Sequence, residues 1–204
     1  MKRKLVGLTV LLAGLSLAQT TQTTDDHTVT VIIPSVLQLS LDARNYKFDF
    51  SDTGLTGSET VTVNGTSHTK ASQAAYDAFL DAGTGTQIFA PTLVEGTGGA
   101  DYGTLTIRSN RAQWTVKIDS ITGNLTLGNS RVLVFAEKVS GKGGSWTGVP
   151  TALSSGITLI NANSGGQGRS VYRLYYLFTM DISDDIPLSD INERITINLL
   201  LTSP

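Results

Sequence analysis

The chain of 204 residues contains no cysteine. That removes disulfides, thiolate metal centres, cysteine nucleophiles and a lipid-anchoring cysteine together. Histidine is almost as scarce, at two residues, His27 and His68, so imidazole chemistry has little to draw on. Charged residues make up only 16% of the chain and the formal net charge is −2. A face built to track a nucleic-acid backbone is therefore not expected. Beyond Ala18 no apolar run approaches the roughly 20 residues that a membrane-spanning helix needs. What remains is 40% apolar and rich in glycine, with 21 residues. Serine and threonine are also abundant and strong helix formers few, a composition that favours strands and turns.

Lys2, Arg3 and Lys4 precede an apolar stretch, Leu5–Leu15, and Ser16-Leu17-Ala18 places small residues before Gln19. These are the three parts of a secretory signal peptide, expected over residues 1–18. Its removal would leave a secreted protein starting at Gln19 and more acidic than the full chain. Gln19–His27 (QTTQTTDDH) has no apolar residue and no period, so it is expected to be a flexible tail. Residues 28–204 are expected to form a single domain, long enough for a hydrophobic core without staples.

Alternation of apolar and polar residues runs through nearly all of that domain. Val29, Val31 and Ile33 share one face of an expected strand over Thr28–Ile33, with Pro34 at its end. Leu37, Leu39 and Leu41 do the same in Val36–Asp42, as do Tyr46, Phe48 and Phe50 in Tyr46–Phe50. Further strands are expected at Glu59–Val63, Gln87–Ala90, Thr104–Arg108, Gln113–Asp119, Leu125–Leu127, Arg131–Glu137, Ile157–Ile160, Val171–Ile182 and Arg194–Thr202. Period-2 alternation marks strands with one buried and one wet face. Arg131–Glu137 is apolar on both faces, as a strand covered on both sides would be. Asn64-Gly65 is a tight-turn dipeptide. Lys70–Leu80, with Ala71, Ala74, Ala75, Ala78 and Phe79 at helical spacing and Gly83 to end it, is the one expected helix. Many short strands without a strand–helix–strand rhythm predict an all-β, antiparallel β-sandwich, Ig-like or jelly-roll-like, with one short connecting helix near residues 70–80.

The run YRLYYLFTMDISDDIPLSDINERITINLLLTSP (Tyr172–Pro204) resembles the closing hairpin of bacterial secreted surface and pilus-type β-sandwich proteins. An aromatic-rich strand there leads through an acidic, proline-containing loop to a final alternating strand. SNRAQWTVKID (Ser109–Asp119) resembles the tryptophan-bearing strand of the same domains. The resemblance implies a structural or adhesive component at the periplasm or surface of a bacterium. Two features depart from it: the cysteine pair usual in chaperone–usher subunits is missing, and so is the apolar N-terminal helix of type IV pilins.

The candidate sites are few. Gly143-Gly144-Ser145-Trp146-Thr147 lacks the final glycine of a nucleophile elbow, and both histidines are expected in solvated segments, His68 in a loop. No catalytic residue is nominated. Asp181, Asp184, Asp185 and Asp190, with Glu193, cluster around the last loop, where calcium is the candidate cation because it favours several hard oxygen ligands. The alternative is that these acids only solubilise the loop. Gly165-Gly166-Gln167-Gly168-Arg169 leads into a strand, not a helix, and reads as a plain turn. Trp146 sits among small residues and either folds back as a lid or stacks on a sugar or a partner. Tyr175 is expected to join an exposed strip with Arg173. Val29, Val31 and Ile33 either pair within their own domain or add to the sheet edge of a neighbouring subunit.

The leading expectation is thus a non-enzymatic, secreted structural, assembly or adhesion component of a bacterial cell envelope. Its partners would be other envelope proteins or copies of itself. A carbohydrate- or ligand-binding module built on Trp146 is the alternative, and an exported hydrolase the third reading.

Overall fold

The computed structural model describes residues 28–144, 148–187 and 191–204. The chain divides into two units, Met1–Ile33 and Pro34–Pro204. Of the first, only residues 28–33 are described; they carry no regular secondary structure. The strand expected over Thr28–Ile33 is therefore absent, and the first strand begins at Leu37.

Among the described residues, the second unit contains thirteen strands and one α-helix. In chain order these are β1 (Leu37–Leu41), β2 (Asn45–Lys47), β3 (Thr60–Val63), β4 (Thr66–Thr69), α1 (Gln73–Ala82), β5 (Thr86–Phe89), β6 (Leu93–Glu95), β7 (Gly103–Ser109), β8 (Trp114–Thr122), β9 (Val132–Gly141), β10 (Thr151–Ala152), β11 (Thr158–Ala162), β12 (Gly168–Asp181) and β13 (Thr196–Thr202). The larger sheet runs β1-β7-β12-β9-β10, with β5 also pairing β12, and the smaller runs β11-β8-β13. Every strand pair is antiparallel. The fold is an all-β sandwich-like architecture, as the alternation predicts, and none of its sheets closes into a barrel.

The core follows from the period-2 pattern. Leu105 and Ile107 of β7, Val134 and Ala136 of β9, and Tyr172, Leu174 and Tyr176 of β12 face inward from the larger sheet. Trp114, Val116 and Ile118 of β8, with Ile160 and Ala162 of β11, answer them from the smaller one. Full burial of each large apolar side chain contributes about 1.5–3 kcal/mol. Trp114 is held further by its indole N–H, which donates to the Gly166 carbonyl at 2.8 Å.

The central strands β9 and β12 are buried on both faces. Phe135, Tyr175 and Leu177 point away from the main core into a second cluster with Val61, Val63 and Ala90. That cluster forms because the β3–β4 hairpin lies over this part of the sheet. Its Asn64-Gly65 turn has both residues at positive φ, 50° and 79°, the geometry of a two-residue hairpin whose twist matches the strands.

Helix α1 is cut at both ends by local chemistry. Ser72 accepts a hydrogen bond from the Ala75 amide at 3.2 Å, satisfying a first-turn donor. Gly83 ends the helix in the left-handed region at φ 64°, where a glycine carries no Cβ penalty. Ala75 and Phe79 are its buried face, packed with Ala71, Phe89 and Met180. Ala74 and Ala78, expected on the same stripe, are exposed.

Three smaller expectations are revised. Tyr46–Phe50 shortens to β2, yet Phe48 and Phe50 still pack inward. Leu125–Leu127 is a turn: the Leu125 amide is taken by the Asn129 side chain at 2.9 Å and its carbonyl by Gly128 at 2.8 Å. His68 is not a solvated loop residue. It lies on β4 and is only 8% exposed.

Candidate functional site

The most conspicuous exposed apolar side chains belong to the segment that precedes the sandwich. Val29 is 78% exposed, Val31 72%, Ile32 87% and Ile33 77%. Isolated surface apolar residues need no explanation, but a consecutive exposed group of this kind is unusual on a protein surface. The alternation of Val29, Val31 and Ile33 would place the three on one side of a strand if the segment were extended.

The sandwich has edges to match. Among the described residues, strand β13 pairs only with β8, and β1 only with β7. The two come within 8 Å of each other without forming a ladder. On this side the inward residues Leu39, Leu41, Ile197, Leu199 and Leu201 are only partly buried, unlike their counterparts on β7, β8 and β12. Leu37 and Leu200 are exposed outright. Natural edge strands are usually protected by a charge, a proline or a bulge away from the partner. The sequences LQLSL and TINLLLT carry neither charge nor proline, and the one irregularity is a bulge in the β13–β8 ladder at Asn198–Leu199.

Three of the described acids around the last loop, Asp181, Asp184 and Glu193, have partners within the protein. Asp181 accepts from the Ser183 amide at 3.0 Å, the Ser183 hydroxyl at 2.6 Å and the Thr86 hydroxyl at 2.5 Å. These hydrogen bonds hold its carboxyl down at about 2. Asp184 forms an ion pair with Arg131 and accepts from the Asp181 amide at 2.7 Å, its own side chain being largely buried. Asp185 is exposed. Glu193 takes both the amide and the hydroxyl of Thr126. Among the described residues no three His, Asp or Glu side chains gather as a metal-ligand group. Asp190 lies outside the described residues.

Tyr175 is not part of an exposed strip. It is 5% exposed, because Tyr102 and the β3–β4 hairpin cover this stretch of β12. Its hydroxyl donates to Glu137 at 3.3 Å, and its ring lies 5.5 Å from that of Tyr102. Burial, with the Glu137 charge beside it, pushes the phenol up to about 12. Arg173 lies over the Tyr102 ring at 4.8 Å and contacts Glu137 at 3.5 Å. The group is a closed structural network. Trp146 lies outside the described residues.

The structure also joins two residues that sequence reasoning left unconnected. Arg108 and Arg169 are direct register partners on β7 and β12. Nothing local in the sequence signals this, since the pairing exists only once the sheet has formed.

Compared with known proteins, the chain matches no protein-family model, no curated protein and no solved structure.

Proposed function

We propose that the protein is a non-enzymatic, exported structural component of a bacterial cell envelope that assembles with neighbouring copies by strand addition. The observation that carries this reading is the run Val29–Ile33, apolar, exposed and in no strand, ahead of a sandwich whose edge strands β1 and β13 lack protective charges. An extended segment over residues 28–33 would reach about 20 Å, comparable with the seven residues of β13. Main-chain hydrogen bonds would supply the affinity, and Val29, Val31 and Ile33 would cover the half-buried leucines and isoleucines at the receiving edge. The signal-like N-terminus accords with export.

Light scattering coupled to size exclusion tests the proposal. The chain from Gln19 should form oligomers whose mass rises with concentration. Deletion of residues 19–33 should leave a folded monomer by circular dichroism, and Val31→Asp should weaken assembly at least tenfold. A monomer at every concentration, or oligomers that persist after the deletion, would overturn it.

A further inference from the structure

The outer face of the larger sheet is covered only in part. The β3–β4 hairpin protects Phe135, Tyr175 and Leu177. Toward the other end of β12 the face carries a cleft of about 250 Å³, lined by Gln38, Ser40, Thr106, Arg108 and Arg169. Gln38, Arg108 and Arg169 form one row across three strands, and Ser40 and Thr106 belong to the next. Directly opposed residues on antiparallel strands hold their Cβ atoms about 5 Å apart. The two arginine side chains therefore leave the sheet side by side, and like charges directly opposite one another destabilise a sheet. Among the described residues neither Arg108 nor Arg169 has an ion-pair partner. Arg173, two residues along β12 from Val171, is by contrast matched with Glu137.

A bulge lies two residues along β12 from Arg169, on the β9 side of that strand. Val171 is opposite Ser140, but Tyr172 is opposite Lys138, so Val139 is left over on β9. Bulges gather where a sheet is shaped around a site. A local rule broken without a compensating partner is also the usual mark of function.

We propose that Arg108 and Arg169 together form a binding site for an oxoanionic group, a carboxylate, sulfate or phosphate. Paired guanidinium forks match the oxygens of such a group with parallel charge-assisted hydrogen bonds. The anion would also neutralise the repulsion between the two arginines. The Gln38 amide and the Ser40 and Thr106 hydroxyls would meet the polar surroundings of that group, as in an acidic sugar. The cleft's size suits one such unit and not an extended ligand. This inference does not rest on strand addition: Gln38 and Ser40 belong to the edge strand β1, but the site uses the outward side chains of the sheet's face and not the main-chain groups at its edge.

The test is titration of the folded chain with sodium sulfate, phosphate, acetate and glucuronate, each against sodium chloride at matched ionic strength. Saturable amide shifts confined to Gln38, Thr106, Arg108 and Arg169 are expected in the NMR spectrum. Arg108→Gln or Arg169→Gln should weaken binding at least tenfold, while Arg173→Gln leaves it unchanged. In chloride alone Arg169→Gln should melt about 1–2 °C higher, since the repulsion is gone. Tighter binding of glucuronate than of acetate would assign the anion to a sugar, and preference for sulfate or phosphate would assign it to a free oxoanion. Shifts no different from chloride, or unchanged affinity in both arginine variants, would overturn the site.

Discussion

Gly166→Ala isolates the packing of Trp114, the largest side chain in the core. A Cβ at Gly166 would lie 2.7 Å from Trp114 Cδ1 and 2.9 Å from the Ala112 carbonyl oxygen, with the indole nitrogen nearer still. Gly166 is outside the left-handed region, so alanine meets no backbone strain there and the cost is steric. The indole cannot retreat, because Gly143 closes its far side: a Cβ built there would stand 2.6 Å from Cζ2. Overpacking of this kind costs about 1–3 kcal/mol. Loss of the indole hydrogen bond to the Gly166 carbonyl adds about 1 kcal/mol. The expected destabilisation is about 2–4 kcal/mol, or a fall in Tm of about 4–16 °C for a domain of this size. Urea unfolding followed by circular dichroism measures it, with the m-value unchanged. Gly54→Ala is the control, since its Cβ would meet nothing nearer than Asp52 Oδ1 at 3.4 Å. A Gly166→Ala variant within 0.5 kcal/mol of wild type, the range of ordinary surface changes, would refute this account of the core.

Arg131→Gln should cost about 1–3 kcal/mol by leaving the largely buried Asp184 carboxylate without its counter-charge; because Arg131 meets that charge, EDTA should leave the melting temperature unchanged. Burial holds His68 below its ordinary value of 6.5, opposed by a hydrogen bond with the Ile88 backbone. The unfolded chain therefore takes up this proton first on acidification. Stability from this site is full above pH 6.5 and declines as pH falls from there toward the folded value. NMR should show His68 titrating below 6.5, and His68→Gln should flatten the pH dependence of the urea midpoint between pH 7.5 and 5. Asp181 works in the same sense at lower pH: hydrogen bonds from Ser183 and Thr86 lower its carboxyl to about 2, so its contribution is present above the ordinary value of 3.8 and is lost as pH falls through about 2. A smaller acid-induced drop in Tm for Asp181→Asn would register this.

Much of the sandwich is legible in alternation alone. Trp114, Val116 and Ile118, or Tyr172, Leu174 and Tyr176, announce their inward faces because period 2 maps directly onto the pleat. The two-faced apolar run of β9 likewise signals cover on both sides. What covers it does not show, because the β3–β4 hairpin reaches Phe135 and Tyr175 only through tertiary packing. For the same reason the expected exposure of Tyr175 fails. Strand β4, Thr66-Ser67-His68-Thr69, has no apolar alternation; the Asn64-Gly65 turn is the one local signal of its pairing with β3. Thr28–Ile33 fails in the other direction. It has strand alternation, but alternation describes a face that wants a partner and does not provide one. The Arg108–Arg169 pair needs the register of β7 against β12, information that no local window contains.

Amide hydrogen exchange at residues 28–33, measured in dilute and concentrated samples of the chain from Gln19, tests strand addition most directly. Protection of alternate amides at Val29, Val31 and Ile33, appearing only as oligomers form and spreading to the unpaired edge of β13 or β1, is the predicted result. Rapid exchange throughout 28–33 in samples that are fully oligomeric would contradict it.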